Sequence, residues 1–166
     1  MSKFFKYLTY LTRHRWYVML ECFKMGLYWR GLVHDISKYR PSEFIPYMNH
    51  FGGRVVRDKT GYYKGSANSG DRAFDIALML HLKRNDNHWQ FWGVVDDQTK
   101  IFEPVKMSMA ATKEMVCDWV GAGKAQGHLS PKDDPLYEAR QWYVLHKDKR
   151  PLHPETDMVV RILLGV

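Results

Sequence analysis

The sequence predicts an all-α protein with a small β-hairpin, or an extended excursion, near residues 92–104. Apolar residues recur at intervals of three and four through most of the chain, as in helices that bury one face. Proline, serine and glycine residues stand where such helices would begin and end. The chain has 166 residues, of which 45% are hydrophobic. It is therefore expected to form one domain, 1–166, with a substantial core.

Each predicted helix follows from its apolar spacing and from its start and stop signals. Pro41 and Pro154 favour helix starts, Ser108 is a candidate N-cap, and Gly26 marks a helix end. Two short apolar runs around Asp96 suggest the hairpin. The expected helices are 3–25 (one long or two abutting), a short one through 29–33, 41 to about 52, about 71–86, 108 to about 126, 135–147 and 154–164.

Residues 52–70 interrupt this pattern with five glycines and four basic side chains. Glycine-rich polar stretches are typical of surface loops, so a mobile loop is predicted here. Its basic residues are expected either to cover phosphates or to be solvated. They are Arg54, Arg57, Lys59 and Lys64.

The charge balance indicates an anionic partner or simply a basic soluble surface. The formal net charge is +7, and aromatic residues make up 14% of the chain. A small phosphoester or nucleotide is the favoured partner. A nucleic acid is not favoured, because the basic residues are scattered and no recognised nucleic-acid motif occurs.

Several protein classes are excluded by the sequence. No apolar run approaches a membrane span, and the N-terminus lacks a signal-peptide core. A cytoplasmic location is expected, in the host cytoplasm if a phage encodes the protein. Cys22 and Cys117 lie in apolar helical patterns, so each is expected to be a core residue and not part of a disulfide.

Histidines and aspartates occur in an order that suggests a metal site. The pair His34-Asp35 places two ligand types almost at one point. The order resembles that of the HD superfamily of metal-dependent phosphohydrolases, and the segment HDISK (34–38) resembles their HD-x-x-K core. The runs HRWYV (14–18), HLKRNDNHWQFW (81–92) and EMVCDWVGAG (114–123) are also similar to an uncharacterised phage and bacterial family placed near the HD proteins. In chain order the residues are His14, His34, Asp35, His81, His88 and Asp118.

The resemblance implies an HD-domain-like helical bundle with a primary metal site made by His14, His34, Asp35 and Asp118. Two imidazoles and two carboxylates suit Mn, Fe, Co, Ni or Zn better than Ca, with Mg as an alternative and one or two ions in all. The competing interpretation is that the two histidines are helix-end residues that bond to nearby backbone.

His81, Asn85 and His88 are spaced to share one face of a continuous helix. They are expected to hold a second metal or a phosphate oxygen, with Asn85 supporting the histidines. Because Asn85, Asp86 and Asn87 are poor helix formers, the alternative is a solvated helix end.

Three further positions surround these candidates. Lys38 is one turn from His34 and Asp35 and is expected to bind a substrate phosphate. Glu43 is a candidate general acid or base, or else a first-turn residue that stabilises its helix. Glu114 lies one turn from Asp118 and is expected to orient a ligand histidine, or to be exposed. The expected catalytic residues are thus Lys38, Glu43 and Asp35.

The resulting functional hypothesis is a metal-dependent phosphohydrolase that acts on a nucleotide through a metal-activated water. The alternative is a non-catalytic binding protein that sequesters a nucleotide or a host factor. Gly121, Gly123 and Lys124 weakly resemble a phosphate loop, but close helix packing is the favoured interpretation. One of Trp89, Trp92, Trp142 and Tyr143 is expected to stack on a base, and the others to be core residues. His146 is expected to face solvent.

Overall fold

The structure, a computed structural model, describes residues 2–52, 69–128 and 130–166. Within them, seven α-helices and a two-stranded antiparallel sheet account for the regular structure, together with three short 3₁₀ turns. The all-α prediction with one hairpin is confirmed. The helices are α1 (Lys3–Lys24), α2 (Tyr28–Val33), α3 (Pro41–Phe51), α4 (Arg72–Arg84), α5 (Met109–Ala125), α6 (Tyr137–His146) and α7 (Pro154–Leu164).

Local chemistry explains where these helices begin and end. The side chains of Asp71 and Ser108 accept hydrogen bonds from the backbone N–H groups of Phe74 and Ala111, so they cap α4 and α5. Helix α3 ends at Gly52, whose φ of 52° is a left-handed conformation that glycine adopts without strain.

The hairpin lies between α4 and α5. Strand β1 (Gly93–Val95) pairs antiparallel with β2 (Phe102–Pro104), with Gly93 opposite Pro104. A Cβ atom at Gly93 would lie 2.1 Å from the Phe102 ring, so only glycine permits this packing. The Phe102 ring also contacts Trp89 edge-on, at 5.6 Å between centroids. The hairpin thus supports the segment that follows α4.

Two hydrophobic cores flank the long helix α1. One core joins the first half of α1 to α3 and α4 through rings such as Tyr7, Phe44 and Phe74. The other joins α5, α6 and α7 around Met115 and Tyr143. Farther along α1 a small cluster packs against α5 and contains Val18 and both cysteines, which are buried and free as expected. Polar residues at the middle of α1 therefore lie between the two cores.

The packing of α5 on α1 depends on Gly121. A Cβ atom there would lie 2.4 Å from Val18 Cγ2 and 2.8 Å from the Val18 backbone nitrogen. The expected close packing at this glycine is confirmed. A Cβ atom at Gly123 would meet only His128 Cβ, at 4.0 Å. The two glycines therefore differ, and only the first sets the separation of α1 and α5.

Three further predictions concern the periphery. The basic loop at 54–64 lies outside the described residues. The expected exposure of His146 is wrong: its side chain is buried, and its Nδ1 lies 2.8 Å from the carbonyl oxygen of Trp142, one turn earlier in α6. In the described parts of the chain, every helix is too short or too polar to cross a membrane.

Candidate metal centre

The His34-Asp35 pair lies at a sharp change of backbone direction. Helix α2 ends at Val33, His34 is extended, and Asp35 has a φ of 55° and a ψ of 18°, the left-handed conformation. Aspartate is among the few non-glycine residues that enter this region, at a cost of about 1–3 kcal/mol. The turn brings both side chains to one point, which a continuous helix would not do.

Four ligand-type side chains meet around this turn and form what we call the first cluster. His14 Nε2 lies 3.1 Å from Asp35 Oδ2 and 3.3 Å from Asp118 Oδ1. His34 Nε2 lies 3.5 Å from Asp35 Oδ2 and 3.6 Å from Asp118 Oδ1. The members come from α1, the α2 turn and α5, so packing of three segments is needed to assemble them.

Residues behind the first cluster fix the His34 ring. Its Nδ1 lies 2.8 Å from Glu114 Oε1, which leaves Nε2 directed at Asp35 and Asp118. The other oxygen of Glu114 accepts a hydrogen bond from Arg30, whose guanidinium also pairs with Asp86. A carboxylate that holds the outer nitrogen of a histidine is a common support for metal ligands. Glu114 lies where the sequence predicted it.

A second cluster lies on the other side of Asp35. His81 Nε2 is 3.3 Å from Asp35 Oδ1 and 2.8 Å from His88 Nε2. Helix α4 ends at Arg84, so His88 is not on the same helix as His81. After the helix the chain folds back, which places the His88 ring beside the His81 ring. The predicted proximity of His81 and His88 is therefore present, but it results from a turn after α4 and not from a shared helix face.

The His81 ring is fixed as firmly as that of His34. Its Nδ1 lies 3.0 Å from Glu43 Oε2 and 3.3 Å from Ser37 Oγ. Glu43 is fully buried, and its other oxygen pairs with Arg84. Asn85 donates to the His81 carbonyl oxygen at 2.7 Å. Both oxygens of Glu43 are thus engaged behind His81, a position that differs from the acid–base role expected from the sequence.

Asp35 belongs to both clusters. Oδ2 faces the first cluster and Oδ1 the second. Among the described residues, two largely buried groups have metal-ligand spacing: His14–His34–Asp35 and Asp35–His81–His88. Lys38 Nζ lies 2.6 Å from Asp35 Oδ2. One buried carboxylate therefore joins four histidines and an ammonium group.

Carboxylates dominate the surroundings of His34 in the first cluster. Burial lowers the pKa of His34, but the carboxylates of Asp35, Asp118 and Glu114 outweigh burial and raise it to about 10. Burial raises the pKa of Asp35, yet His34 and Lys38 hold it well below its usual range. The carboxylates around His34 therefore favour a positive charge at this point, as do those of a cation-binding site.

The second cluster favours neutral imidazoles. Burial and the neighbouring His81 lower the pKa of His88 to about 3. Burial and Lys38 also lower the pKa of His81. Neutral imidazole is the form that binds a metal, so these histidines are in the ligating form at neutral pH.

The donor atoms fit a divalent cation. Buried polar atoms are nearly always hydrogen-bonded, yet two atoms that face the clusters, His34 Nε2 and Asp35 Oδ1, have no hydrogen-bond partner among the described residues. Two ligand atoms held at 2.0–2.1 Å by one tetrahedral zinc ion are about 3.3 Å apart. The nitrogen–oxygen distances of 3.1–3.6 Å in the first cluster match that spacing. Buried His and Asp groups that could bind a metal are thus present.

Comparison with known proteins identifies the family. A family model described as a family of unknown function (DUF5662) matches residues 3–165. The chain belongs to DUF5662. No curated protein and no solved structure matches it.

Membership of DUF5662 corrects one expectation from the sequence. The assignment to the HD superfamily is wrong, because the model that covers the chain is that of DUF5662. The order of histidines and aspartates that suggested the assignment does bring those side chains together.

Three residues around the candidate site of this DUF5662 protein were not predicted from the sequence. Arg30 bridges Glu114 and Asp86, Ser37 contacts Glu43 and His81, and buried Asn87 lies 3.4 Å from Asp118 Oδ2 through its amide nitrogen. A weak signal existed for Arg30, which lies one helical turn before His34. For Asn87 the adjacent His88 was the only hint, and neighbours in sequence do not reveal a contact with α5.

Proposed function

We propose that this protein is a metal-dependent phosphohydrolase acting on a nucleotide or a related phosphoester. The observation that carries the proposal is the sharing of Asp35 by two buried clusters. Adjacent cation sites are typical of enzymes that act on phosphorus, because both the attacking and the leaving oxygen need charge stabilisation. The formal net charge of +7 also favours an anionic substrate.

His14, His34, Asp35 and Asp118 would hold the first ion. His81 and His88, with Asp35, would hold a second ion or a phosphate oxygen in its place. Mixed nitrogen and oxygen donors favour Mn, Fe, Co, Ni or Zn, with Mg as an alternative. A metal bound here supplies a Lewis acid and lowers the pKa of water from about 15.7 toward about 7.

Lys38 supplies positive charge that is not part of the ligand set. Its ammonium group is half-buried and 2.6 Å from Asp35 Oδ2. Burial lowers the pKa of Lys38, but Asp35 outweighs burial and holds the pKa well above its usual range, so the group stays cationic. In the proposal Lys38 stabilises charge that develops on the phosphoryl oxygens.

Glu43 and Glu114 act as positioning residues in this proposal. Each carboxylate binds the outer nitrogen of a histidine and is itself held by an arginine. Each arrangement sets the tautomer of the imidazole and leaves the inner nitrogen as the donor. The role of Glu43 is therefore to orient His81.

A phosphate-release screen over nucleotides and simple phosphoesters, with Mn, Co, Ni, Mg or Zn added, tests the proposal. Wild type should release phosphate with at least one metal. Lys38→Ala should keep its metal and lose about 30- to 1000-fold in rate, equivalent to about 2–4 kcal/mol of transition-state stabilisation. Asp118→Ala should lose metal and activity together.

Two results would redirect the proposal. Full activity of Lys38→Ala would mean that Lys38 only neutralises Asp35. Absence of hydrolysis by wild type across the panel with every metal would contradict the enzyme and favour a non-catalytic protein that sequesters a nucleotide or a host factor.

A further inference from the structure

A cavity of about 290 Å³ lies between α5 and α6, directly beside the metal centre. Its lining includes His88 and Asp118, one candidate ligand from each cluster. The volume is near the lower end of the range for small-molecule sites, about 300–1,000 Å³. A substrate whose phosphate lies at the metal centre would therefore have space for its organic part in this cavity.

The walls of the cavity are rich in indole rings. Trp89, Trp119 and Trp142 all line it, with Met115 and Ala139 among the apolar residues between them. The Trp119 and Trp142 rings are 4.8 Å apart at their centroids and inclined by 53°. Flat aromatic surfaces bind planar rings by stacking, and they do so with little dependence on which ring is bound.

The guanidinium group of Arg150 lies in the same wall. The Arg150 guanidinium carbon is 3.8 Å from the centroid of the Trp142 ring, and one of its nitrogens donates to the His146 carbonyl oxygen at 2.7 Å. Within the described ranges no carboxylate pairs with Arg150, whereas Lys124, also in the lining, pairs with Glu21. Arg150 therefore retains N–H donors for an acceptor on a ligand.

We infer that this cavity binds the planar heteroaromatic ring of the substrate, which makes the substrate class a nucleotide and not an aliphatic phosphoester. Because the Arg150 guanidinium covers part of the Trp142 face, the ring would lie beside it, against Trp119 and the rest of the Trp142 indole. There a ring carbonyl or nitrogen would accept a hydrogen bond from Arg150. The inference rests on the proposed function for the position of the phosphate. It adds a recognition site for the rest of the molecule.

Binding measured without turnover tests this site. Saturation-transfer NMR titrations of the full-length zinc-loaded protein, recorded before phosphate release becomes detectable, would compare AMP, GMP, CMP and UMP with ribose 5-phosphate, which lacks a base. At least one nucleotide should bind about 5- to 150-fold more tightly than ribose 5-phosphate, the range for one base–aromatic stack. Its base protons should receive stronger saturation than its ribose protons.

Variants separate the cavity from the metal centre. Trp142→Ala should remove the advantage of the nucleotide and leave the affinity for ribose 5-phosphate unchanged. Trp142→Phe, which preserves a smaller ring, should reduce the advantage and serves if the alanine variant does not fold. Trp29→Ala is the matched control, because that indole is 73% exposed on α2 and does not line the cavity. It should change neither affinity.

The inference is overturned if none of the four nucleotides outperforms ribose 5-phosphate, or if the full advantage survives in the Trp142 variants. Base-dependent binding without any hydrolysis would support the ring site and contradict the proposed function. Hydrolysis with equal kcat/KM for nucleotides and ribose 5-phosphate would support the proposed function and contradict the ring site.

Discussion

The two clusters that share Asp35 differ in charge although both present two histidines. In the first cluster three carboxylates surround His34 and raise its pKa to about 10. In the second cluster burial dominates, and the pKa of His88 falls to about 3. The carboxylates of the first cluster thus favour a positive charge at His34, whereas burial keeps His88 neutral in the second.

The difference suggests distinct roles within one centre. A site lined by carboxylates binds a divalent cation tightly, because the opposite charges offset the cost of desolvating it. A site of neutral imidazoles with a shared carboxylate binds a cation more weakly. We therefore expect a resident ion at the first cluster and an exchangeable ion, or a phosphate oxygen, at the second.

The largest expected effect comes from removing ligands one cluster at a time. Asp35→Ala should lose all bound metal, because the carboxylate serves both clusters, and His34→Ala should lose the tightly held ion. His88→Ala should retain about one ion per chain, since the four first-cluster donors remain. Elemental analysis of the purified variants measures this. Metal retained by His34→Ala, or lost entirely from His88→Ala, would mean that the second cluster and not the first holds the tightly bound ion.

The arginines behind the clusters offer a matched pair. Arg30 holds Glu114 behind His34, and Arg84 holds Glu43 behind His81. Arg30→Ala should weaken metal binding at the first cluster by about 10- to 100-fold, the usual effect of losing such support. Arg84→Ala should leave that affinity unchanged and weaken only the second cluster. Calorimetric titration of both variants with Mn²⁺ measures these affinities. Equal losses of affinity at the first cluster would show that neither arginine supports one cluster in particular.

The clusters should also differ in their dependence on pH. A metal entering the first cluster displaces a proton from His34, whose pKa is raised to about 10. Its affinity should therefore fall as pH falls below 10, by up to about tenfold per pH unit. The second cluster should be flat between pH 6 and 8, because His88 is already neutral there. Titrations at three pH values in that window decide the point, and a flat profile for the tighter site would contradict it.

The smallest expected effect concerns the packing that assembles the first cluster. Gly121→Ala should destabilise the protein by about 1–3 kcal/mol, because the added methyl group meets the Val18 backbone. Gly123→Ala, on the same helix but in open space, should stabilise it by up to about 1 kcal/mol. Denaturant unfolding of the metal-free proteins measures both changes. Loss of stability in both variants would mean that α5 tolerates no change here.

Much of the fold was predictable because helix ends carry local signals. The Ser108 cap, the proline at the start of α3 and the glycine after it mark boundaries within a few residues of those observed. The hairpin was also predicted from its two apolar runs. Side-chain exposure was less predictable than helix position. His146 was expected to be exposed because charged residues follow it, but its ring packs against Trp142 and is buried.

The candidate ligands were predictable as a set, but their supports were not. His34 and Asp35 are adjacent, whereas Asn87 meets Asp118 only because the chain folds back after α4. The role expected for Glu43 differed for the same reason: sequence spacing placed it near Lys38 but did not reveal that His81 lies between Glu43 and Asp35. Contacts among separate helices depend on tertiary packing, which one sequence does not encode in its spacing.

The most direct test of the shared centre is a crystal structure of the protein soaked in Mn²⁺, with anomalous scattering used to locate the ions. We expect a strong peak among His14, His34, Asp35 and Asp118. A second peak beside His81 and His88 should be weaker, or absent when no phosphoester is bound. Absence of any anomalous peak within bonding distance of Asp35 would contradict the shared centre.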